Sequence, residues 1–357
     1  MAATWNNNIC LIEGRGSFGT RLVQEAGAPR YVYTRLHDNF TKYIKDIELS
    51  PVHEDPEHEP PAYYLPIIPL VLVNGTKGIA TGFATNILPH DPESVKNACI
   101  EYITTGKIQK ALDVKFPEFR GTVEQNIEEP SKYTVYGVYE KRSKTQLTIT
   151  EVPYGFDREG YIKILDSLED DGDIVSYEDQ CDGSGFKFEV KLKQNTSANW
   201  NHNKIITKFK LGKSLSQNLT VIDQYGKLRQ FEDARDIVKE FCDFRINVLN
   251  KRIELRLEES RELCRWLNVK MQFIQAVLDN KIEFKNKKKK AVAQRIYEET
   301  SALNDNDIDR LLRINIMSLT DEMVRELAKE IRMAVKQSTF WSRETSKGQF
   351  VSDIEEI

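Results

Sequence analysis

From Lys227 to Lys347 the chain contains neither glycine nor proline. A stretch of that length without a backbone punctuator leaves room for long uninterrupted helices, so it constrains the fold more than any other feature. Apolar residues recur there at helical period, first as Ile237, Phe241, Phe244 and Val248, then as Leu263, Leu267, Met271, Ile274 and Leu278. Asp233 to Asp279 as one helix would run roughly 70 Å at 1.5 Å per residue. A second helix is expected after Thr320, a good N-cap with Asp321 and Glu322 in its first turn, with Val324, Leu327, Ile331 and Val335 as its stripe. Two long helices flanking a short helical knot fit an antiparallel arm with a globule at its tip. Periodicity alone fits an ordinary helical bundle equally well.

The N-terminal two thirds is built differently. All twelve prolines lie between Pro29 and Pro153. Asn8–Glu13 reads as a short strand, Thr34–Ile44 as a helix with Leu36, Phe40, Tyr43 and Ile44 on one side, and residues 93–112 as a helix. Residues 51–62 form an acidic, proline-rich loop. From about 117 to 230, short β-like runs appear at Gly121–Val123, Tyr133–Tyr139, Gln146–Glu151, Phe186–Leu192 and Leu219–Ile222, with a helix near Arg158–Leu168 and a turn at Tyr225-Gly226. The fold class is therefore α+β and multidomain.

With 357 residues, two or three domains are expected. The chain is 40% hydrophobic and 30% charged, as a soluble globular protein should be. No apolar run reaches the roughly 18 to 20 residues of a membrane span, and no basic-then-apolar leader opens the chain. The five cysteines, Cys10, Cys99, Cys181, Cys242 and Cys264, are scattered without a CxxC pair, which reads as reduced thiols in a cytoplasm. The net charge of −4 argues mildly against indiscriminate DNA binding, so a DNA-binding chain of this composition must gather its cations on one surface.

The segment Ala26-Gly27-Ala28-Pro29-Arg30-Tyr31-Val32-Tyr33-Thr34-Arg35-Leu36 carries candidate chemistry. A tyrosine can act as a covalent nucleophile, and Arg30 is a permanent cation whose forked donors match a phosphate. Tyr31 beside Arg30 is suited to attack a phosphodiester, although a tyrosine near an arginine is more often a packing or surface residue. Upstream stands Gly14-Arg15-Gly16-Ser17-Phe18-Gly19-Thr20-Arg21. Its Gly-x-Gly-x-x-Gly spacing formally matches a dinucleotide fingerprint, but Pro29 interrupts the required helix and the 51–62 loop replaces the second strand. It reads better as a tight turn bringing backbone close to DNA, with Arg15 and Arg21 on phosphates. Downstream stands Tyr64-Leu65-Pro66-Ile67-Ile68-Pro69-Leu70-Val71-Leu72-Val73-Asn74-Gly75-Thr76-Lys77-Gly78-Ile79-Ala80-Thr81-Gly82-Phe83-Ala84-Thr85-Asn86-Ile87-Leu88-Pro89-His90.

Other candidate clusters read as structural. His53, Glu54, Asp55, Glu57, His58 and Glu59 resemble metal ligands by composition, but with Pro56 and Pro60 among them a solvated loop is the better account. Asp171-Gly172-Asp173 reads as a turn. Asp305, Asp307 and Asp309 imitate the start of a calcium loop, yet Arg310 occupies the glycine position. The run Lys285 and Lys287–Lys290 reads as a solvated face on the distal globule.

In order and spacing, the three glycine- and tyrosine-bearing segments resemble the DNA breakage-reunion part of type IIA topoisomerases, in the separate-subunit form of T4-like phages. The resemblance covers nearly the whole chain, including Asp309–Thr320, which looks like the family's segment before the returning helix. It implies a partial winged-helix domain with the nucleophile, a DNA-bending loop and a linker helix over 1–115, a β-rich tower domain over 116–231, a long antiparallel helical arm with a dimer-gate globule over 232–345, and a tail over 346–357. It implies an ATP-dependent type II topoisomerase subunit, in which Tyr31 forms a 5′-phosphotyrosine bond and Arg30 stabilises the charge developing on the phosphate. Arg15, Arg21, Arg35, Asn74 and Lys77 would bind DNA. Ile79, on a backbone able to approach a ligand closely, would wedge into and bend the duplex. Without the resemblance, Ile79 reads as a buried strand residue.

The resemblance further implies double-stranded DNA as substrate, a homodimer, and a partner subunit supplying the ATP site and the magnesium ion, since no residue pattern in this chain suggests either site. The family's histidine-glycine motif and preceding helices are absent from this sequence, and two accounts stay open: a separate N-terminal winged-helix fragment as a further partner, or a truncated product. Three other readings stay open: a non-catalytic dimeric DNA clamp, a fragment inactive without that piece, and a tyrosine recombinase or relaxase.

Overall fold

The computed structural model describes every residue except Pro56, Asp305, Ile316 and Ser318. Parts of the expected 51–62 loop, aspartate triplet and 309–320 segment therefore lie outside the described residues. The chain divides into two compact units: residues 1–245 together with 351–357, and residues 246–350.

The first unit opens with β1 (Ile12–Arg15), which pairs antiparallel with β2 (Tyr33–Leu36). The helix expected from Thr34 begins only at Asp38, as α1 (Asp38–Tyr43) capped by the His37 ring, because Thr34–Leu36 are held in the ladder to β1. A short α2 (Leu70–Asn74) leads into the hairpin of β3 (Thr76–Ala80) and β4 (Phe83–Ile87), followed by α3 (Pro92–Thr105). Asp91 caps α3, Pro92 occupies its first position and Gly106 ends it in the left-handed conformation. Ile67, Ile68, Leu72, Val73, Val95 and Cys99 are wholly buried around these elements.

The β-rich part contains β5 (Thr122–Gln125), β6 (Lys132–Tyr136), β7 (Val138–Lys141), β8 (Gln146–Glu151), α4 (Arg158–Asp170), β9 (Ile174–Asp179), β10 (Phe188–Leu192), α5 (His202–Lys208) and β11 (Gly212–Ser216). Two sheets result, ordered β7-β8-β10-β9 and β11-β6-β5. The larger sheet alternates buried and exposed residues along β10, with Phe188, Val190 and Leu192 facing the core beside Tyr161, Leu165 and Phe209. The buried Tyr161 hydroxyl donates to the Phe209 carbonyl at 2.8 Å, which ties α4 to the end of α5. The expected Asp171-Gly172-Asp173 turn is present: Gly172 has φ +69° and Asp173 pairs with Lys208 at 2.6 Å. A hairpin of β12 (Leu219–Ile222) and β13 (Leu228–Phe231) closes around Tyr225-Gly226 as the sequence suggests.

Helix α6 (Ala234–Leu278) is continuous over 45 residues. In the second unit its later turns share a core with α7 (Lys289–Glu299), α8 (Asp307–Leu312) and α9 (Asp321–Arg343), built on Leu267, Phe273, Ile274, Ile296, Leu311 and Leu327. Thr320 caps α9 by accepting from the Met323 amide at 3.2 Å. Along α9 the stripe drifts: Leu327 is buried, but farther on Ala334 takes the inward position and Val335 is exposed. Asp307 spends its carboxylate on Arg265 and the Asn304 amide, and Asp309 pairs with Lys289, so these two aspartates have structural partners.

Where a tail is expected, the chain forms α10 (Ser346–Glu355). Its last turns belong to the first unit: Asp353 accepts from Lys45 at 3.0 Å and lies 3.6 Å from Arg245, which also pairs with Asp46 at 2.6 Å.

Candidate active site

Tyr31 closes a single 3₁₀ turn, Pro29–Tyr31, between the loop that follows β1 and the start of β2. Pro29 presets the turn's first φ, and the Tyr31 amide donates back to Ala28 at 2.9 Å. Gly16 runs against this turn with φ +98°, and a Cβ there would stand 2.6 Å from the Tyr31 carbonyl oxygen, so only glycine fits. The Gly27 amide donates to Ser17 at 2.9 Å and closes the intervening loop. The strand β1 is thus followed by a loop and not by a helix, which removes the dinucleotide reading.

The Tyr31 side chain is 65% exposed. The guanidinium of Arg30 lies over its ring, 4.9 Å from the centroid, an exposed cation–π contact worth about 0.5–1 kcal/mol. The β1–β2 register places Arg15 opposite Tyr33 and Glu13 opposite Arg35, so these four side chains share one face of the ribbon. Arg15, Tyr33 and Arg35 are all exposed. Arg35 pairs with Glu13 at 2.5 Å, and its hydrogen bond holds the Glu13 carboxyl below the usual range.

The β3–β4 hairpin presents the second cluster. Ile79 is 88% exposed and unpacked, opposite Ala84, and Lys77 lies two residues before it on the same face. The turn Thr81-Gly82 needs the positive φ that Gly82 supplies, at +84°. Phe83 is exposed at the start of the return strand, opposite Ala80 and so on the other face from Ile79. Sequence reasoning passed over Phe83; an aromatic directly after a Thr-Gly turn, with only the small Ala80 across the hairpin, was the available signal.

Two expected DNA contacts are corrected. Arg21 is buried, not exposed: its guanidinium donates to the carbonyls of Phe156, Val152 (3.1 Å) and Pro153 (3.5 Å), and lies 3.5 Å from Glu151. It is enclosed by the rings of Tyr154 and Phe186, and burial draws the Arg21 pKa down and pushes the Glu151 carboxyl up. Asn74 turns inward as well. Its amide group accepts from the Ile9 amide at 2.8 Å and donates to the Ile9 carbonyl at 2.9 Å, so it acts as a strand partner for the N-terminal segment. Both side chains are engaged by contacts within the chain.

Among the described residues, no group of three or more His, Cys, Asp and Glu side chains is arranged to hold a metal ion. His53 and His58 stack on each other, ring centroids 4.0 Å apart, on the exposed loop. No helix among the described residues is long and apolar enough to cross a membrane.

The family model for the A subunit of DNA gyrase/topoisomerase IV matches residues 1–355. The chain is 40% identical to the DNA topoisomerase medium subunit of Enterobacteria phage T4, over all of this chain and 80% of that protein. It is 26% identical to DNA topoisomerase 2 of Arabidopsis thaliana, over 99% of this chain but 27% of that longer protein. It superposes on the crystal structure of the Plasmodium falciparum topoisomerase II DNA-binding, cleavage and re-ligation domain with a TM-score of 0.85 at 26% identity, covering 98% of this chain and 52% of that one. The mixed α/β fold is therefore that of a type II topoisomerase cleavage region, and the chain belongs to the family of DNA gyrase/topoisomerase IV A subunits, the type II DNA topoisomerases.

Proposed function

We propose that Tyr31 is the nucleophile that breaks and reseals DNA. The observation that carries this reading is an exposed phenol on a backbone-locked turn, with the Arg30 cation against its ring. The Tyr31 Oη–phosphorus bond forms as the bond from phosphorus to the 3′ oxygen breaks. The phenol gives up its proton as it attacks, the departing 3′ oxygen takes up one proton and leaves as a hydroxyl, and the other end stays on the protein as a 5′-phosphotyrosine. One phosphodiester replaces another, so the 3′ hydroxyl reverses the step without an added energy source. Arg30 stabilises the charge that develops on the phosphate, as a preorganised cation should. Arg15, Arg35 and Lys77 bind the backbone of the duplex, and Ile79 wedges a base step to bend it.

Two copies related by a twofold axis would cut opposite strands, with the helices of residues 232–345 as the dimer gate. Residues 1–115 would act as a partial winged-helix domain with the bending hairpin, and 116–231 as a tower flanking the DNA. A partner subunit would bring ATP hydrolysis and magnesium, whose chemistry is to polarise the phosphate and assist the leaving oxygen. All five cysteines are free thiols, which supports a reducing cytoplasm as the site of action.

The test is a Tyr31→Phe variant mixed with the partner subunit, magnesium and supercoiled DNA, then denatured rapidly. Loss of all protein-linked DNA is expected, with DNA binding retained. Undiminished covalent adducts would end the assignment.

A further inference from the structure

We infer that Arg21 is a positioning residue for the nucleophile: it plugs the loop between β1 and Tyr31 into the β-rich region, so that residues 151–156 set where the Tyr31 hydroxyl stands. The inference rests on the assignment of Tyr31 above.

The loop is fixed at three levels. At its base, Gly16 lies against the Tyr31 carbonyl and the Ser17 carbonyl accepts from Gly27. Midway, the Trp5 indole donates to Phe18 at 3.1 Å, and Gly19, at φ +78°, passes so close to the Gln24 carbonyl that a Cβ would stand 2.8 Å from it. The Thr20 amide donates to Val23 at 2.7 Å, which turns the chain and thrusts Arg21 and Leu22 outward from the loop.

Both projecting residues are seated in the β-rich region. Arg21 donates to three carbonyl groups, those of Val152, Pro153 and Phe156, and stands between the Tyr154 and Phe186 rings at 5.1 and 5.0 Å. Leu22 packs on the hydrophobic core of the larger sheet, and its carbonyl accepts from Arg158 at the start of α4 at 2.9 Å. Glu151 lies beside Arg21 and also accepts from the amides of Arg120 and Val152. The planar guanidinium fits this socket because it offers donors along its edges while its faces lie against rings. A lysine has neither the fork nor the flat face. A nucleophile misplaced by about 1 Å loses about a hundredfold in rate, so a clamp of this kind acts on the chemical step more than on DNA affinity.

The experiment uses the chain assembled with its partner subunit, magnesium and a short nicked duplex that traps the cleaved state. Single-turnover adduct formation and DNA affinity are measured for Arg21→Ala, Arg21→Lys and Gly16→Ala, with the midpoint of thermal unfolding recorded for each. Arg21→Ala is expected to form adduct at least about tenfold more slowly with DNA affinity within about twofold, and Arg21→Lys to recover only part of that loss. Gly16→Ala leaves the socket intact and pushes on the Tyr31 carbonyl, so it keeps the parental midpoint for the β-rich region and still loses rate. Equal falls in affinity and rate for all three, or parental rates in Arg21→Lys and Gly16→Ala, would overturn the inference. Tyr31→Phe runs in parallel: adducts surviving there would sink the nucleophile assignment itself, whereas their absence beside parental rates in the other variants would sink only the positioning role.

Discussion

Asn218 and Asn86 exchange both backbone hydrogen bonds, at 2.9 and 3.0 Å, and the Asn218 side chain donates to the Ala84 carbonyl at 2.9 Å. The pair joins the root of the β12–β13 hairpin to the return strand of the β3–β4 hairpin. An unpacked Ile79 can act as a wedge only if the ribbon under it resists bending, and this bridge supplies that stiffness. Replacing Asn218 with alanine keeps the backbone pair and removes two side-chain bonds, the one donated to the Ala84 carbonyl and the one accepted from the Thr220 hydroxyl at 2.6 Å. The expected outcome is a loss of about 2 kcal/mol localised to the two joined hairpins. Hydrogen exchange of the amides in 83–87 and 219–222 checks it: faster exchange there with the rest of the chain unchanged is the expected result.

Ile79 itself should contribute to bending and not to folding. Its side chain is 88% exposed and packs against nothing, so Ile79→Ala should shift stability by less than about 0.5 kcal/mol. The bend angle of bound DNA, read by fluorescence transfer between labelled duplex ends, should fall, and adduct formation should slow about tenfold. An unchanged bend angle in this variant would remove Ile79 from the wedge role.

Covalent adducts should require both the partner subunit and a divalent cation. Among the described residues, the acidic and histidine side chains form no ligand cluster of three. The chain alone is expected to yield only background adduct, the complex with magnesium to yield the full amount, and a chelator to return the complex to background. Full adduct from the chain alone in chelator would contradict the proposed division of labour.

In the helical unit, the Asp307 carboxylate is held below the ordinary range chiefly by its hydrogen bonds to Arg265, with the Asn304 amide adding to the effect. A carboxyl depressed on folding stabilises the fold above its unfolded value of about 3.9. That contribution is complete at neutral pH and is lost as pH falls through the lower folded value. Asp307→Asn should therefore destabilise the unit by about 1–2 kcal/mol at pH 7, because Arg265 loses one carboxylate and keeps Glu262 at 2.6 Å. The difference between variant and parent should shrink as the acid limb is approached, which a series of denaturant melts across pH would show.

The order of helices, the β-rich middle and the turn that presents Tyr31 against Gly16 were legible in the sequence because each depends on local rules. Helical apolar periodicity in the stretch without glycine or proline after Gly226 marked α6 and α9, Thr320 marked a cap, and Pro29 before Arg30-Tyr31 set a turn. What sequence could not supply was which way a side chain turns once distant elements meet. Arg21 and Arg15 look alike in a glycine-rich loop, yet one is sealed among Val152, Tyr154 and Phe186 and the other is exposed. Asn74, written beside a helix end, became the strand-like partner of Ile9. Thr34–Leu36 gave up helix for the ladder with β1, and residues 346–355 became a helix whose Asp353 joins Lys45 and Arg245. Periodicity, capping and backbone freedom are properties of neighbouring residues, so the chain alone determined them. Burial and pairing depend on contacts between residues far apart in the sequence, and only the tertiary structure could decide those.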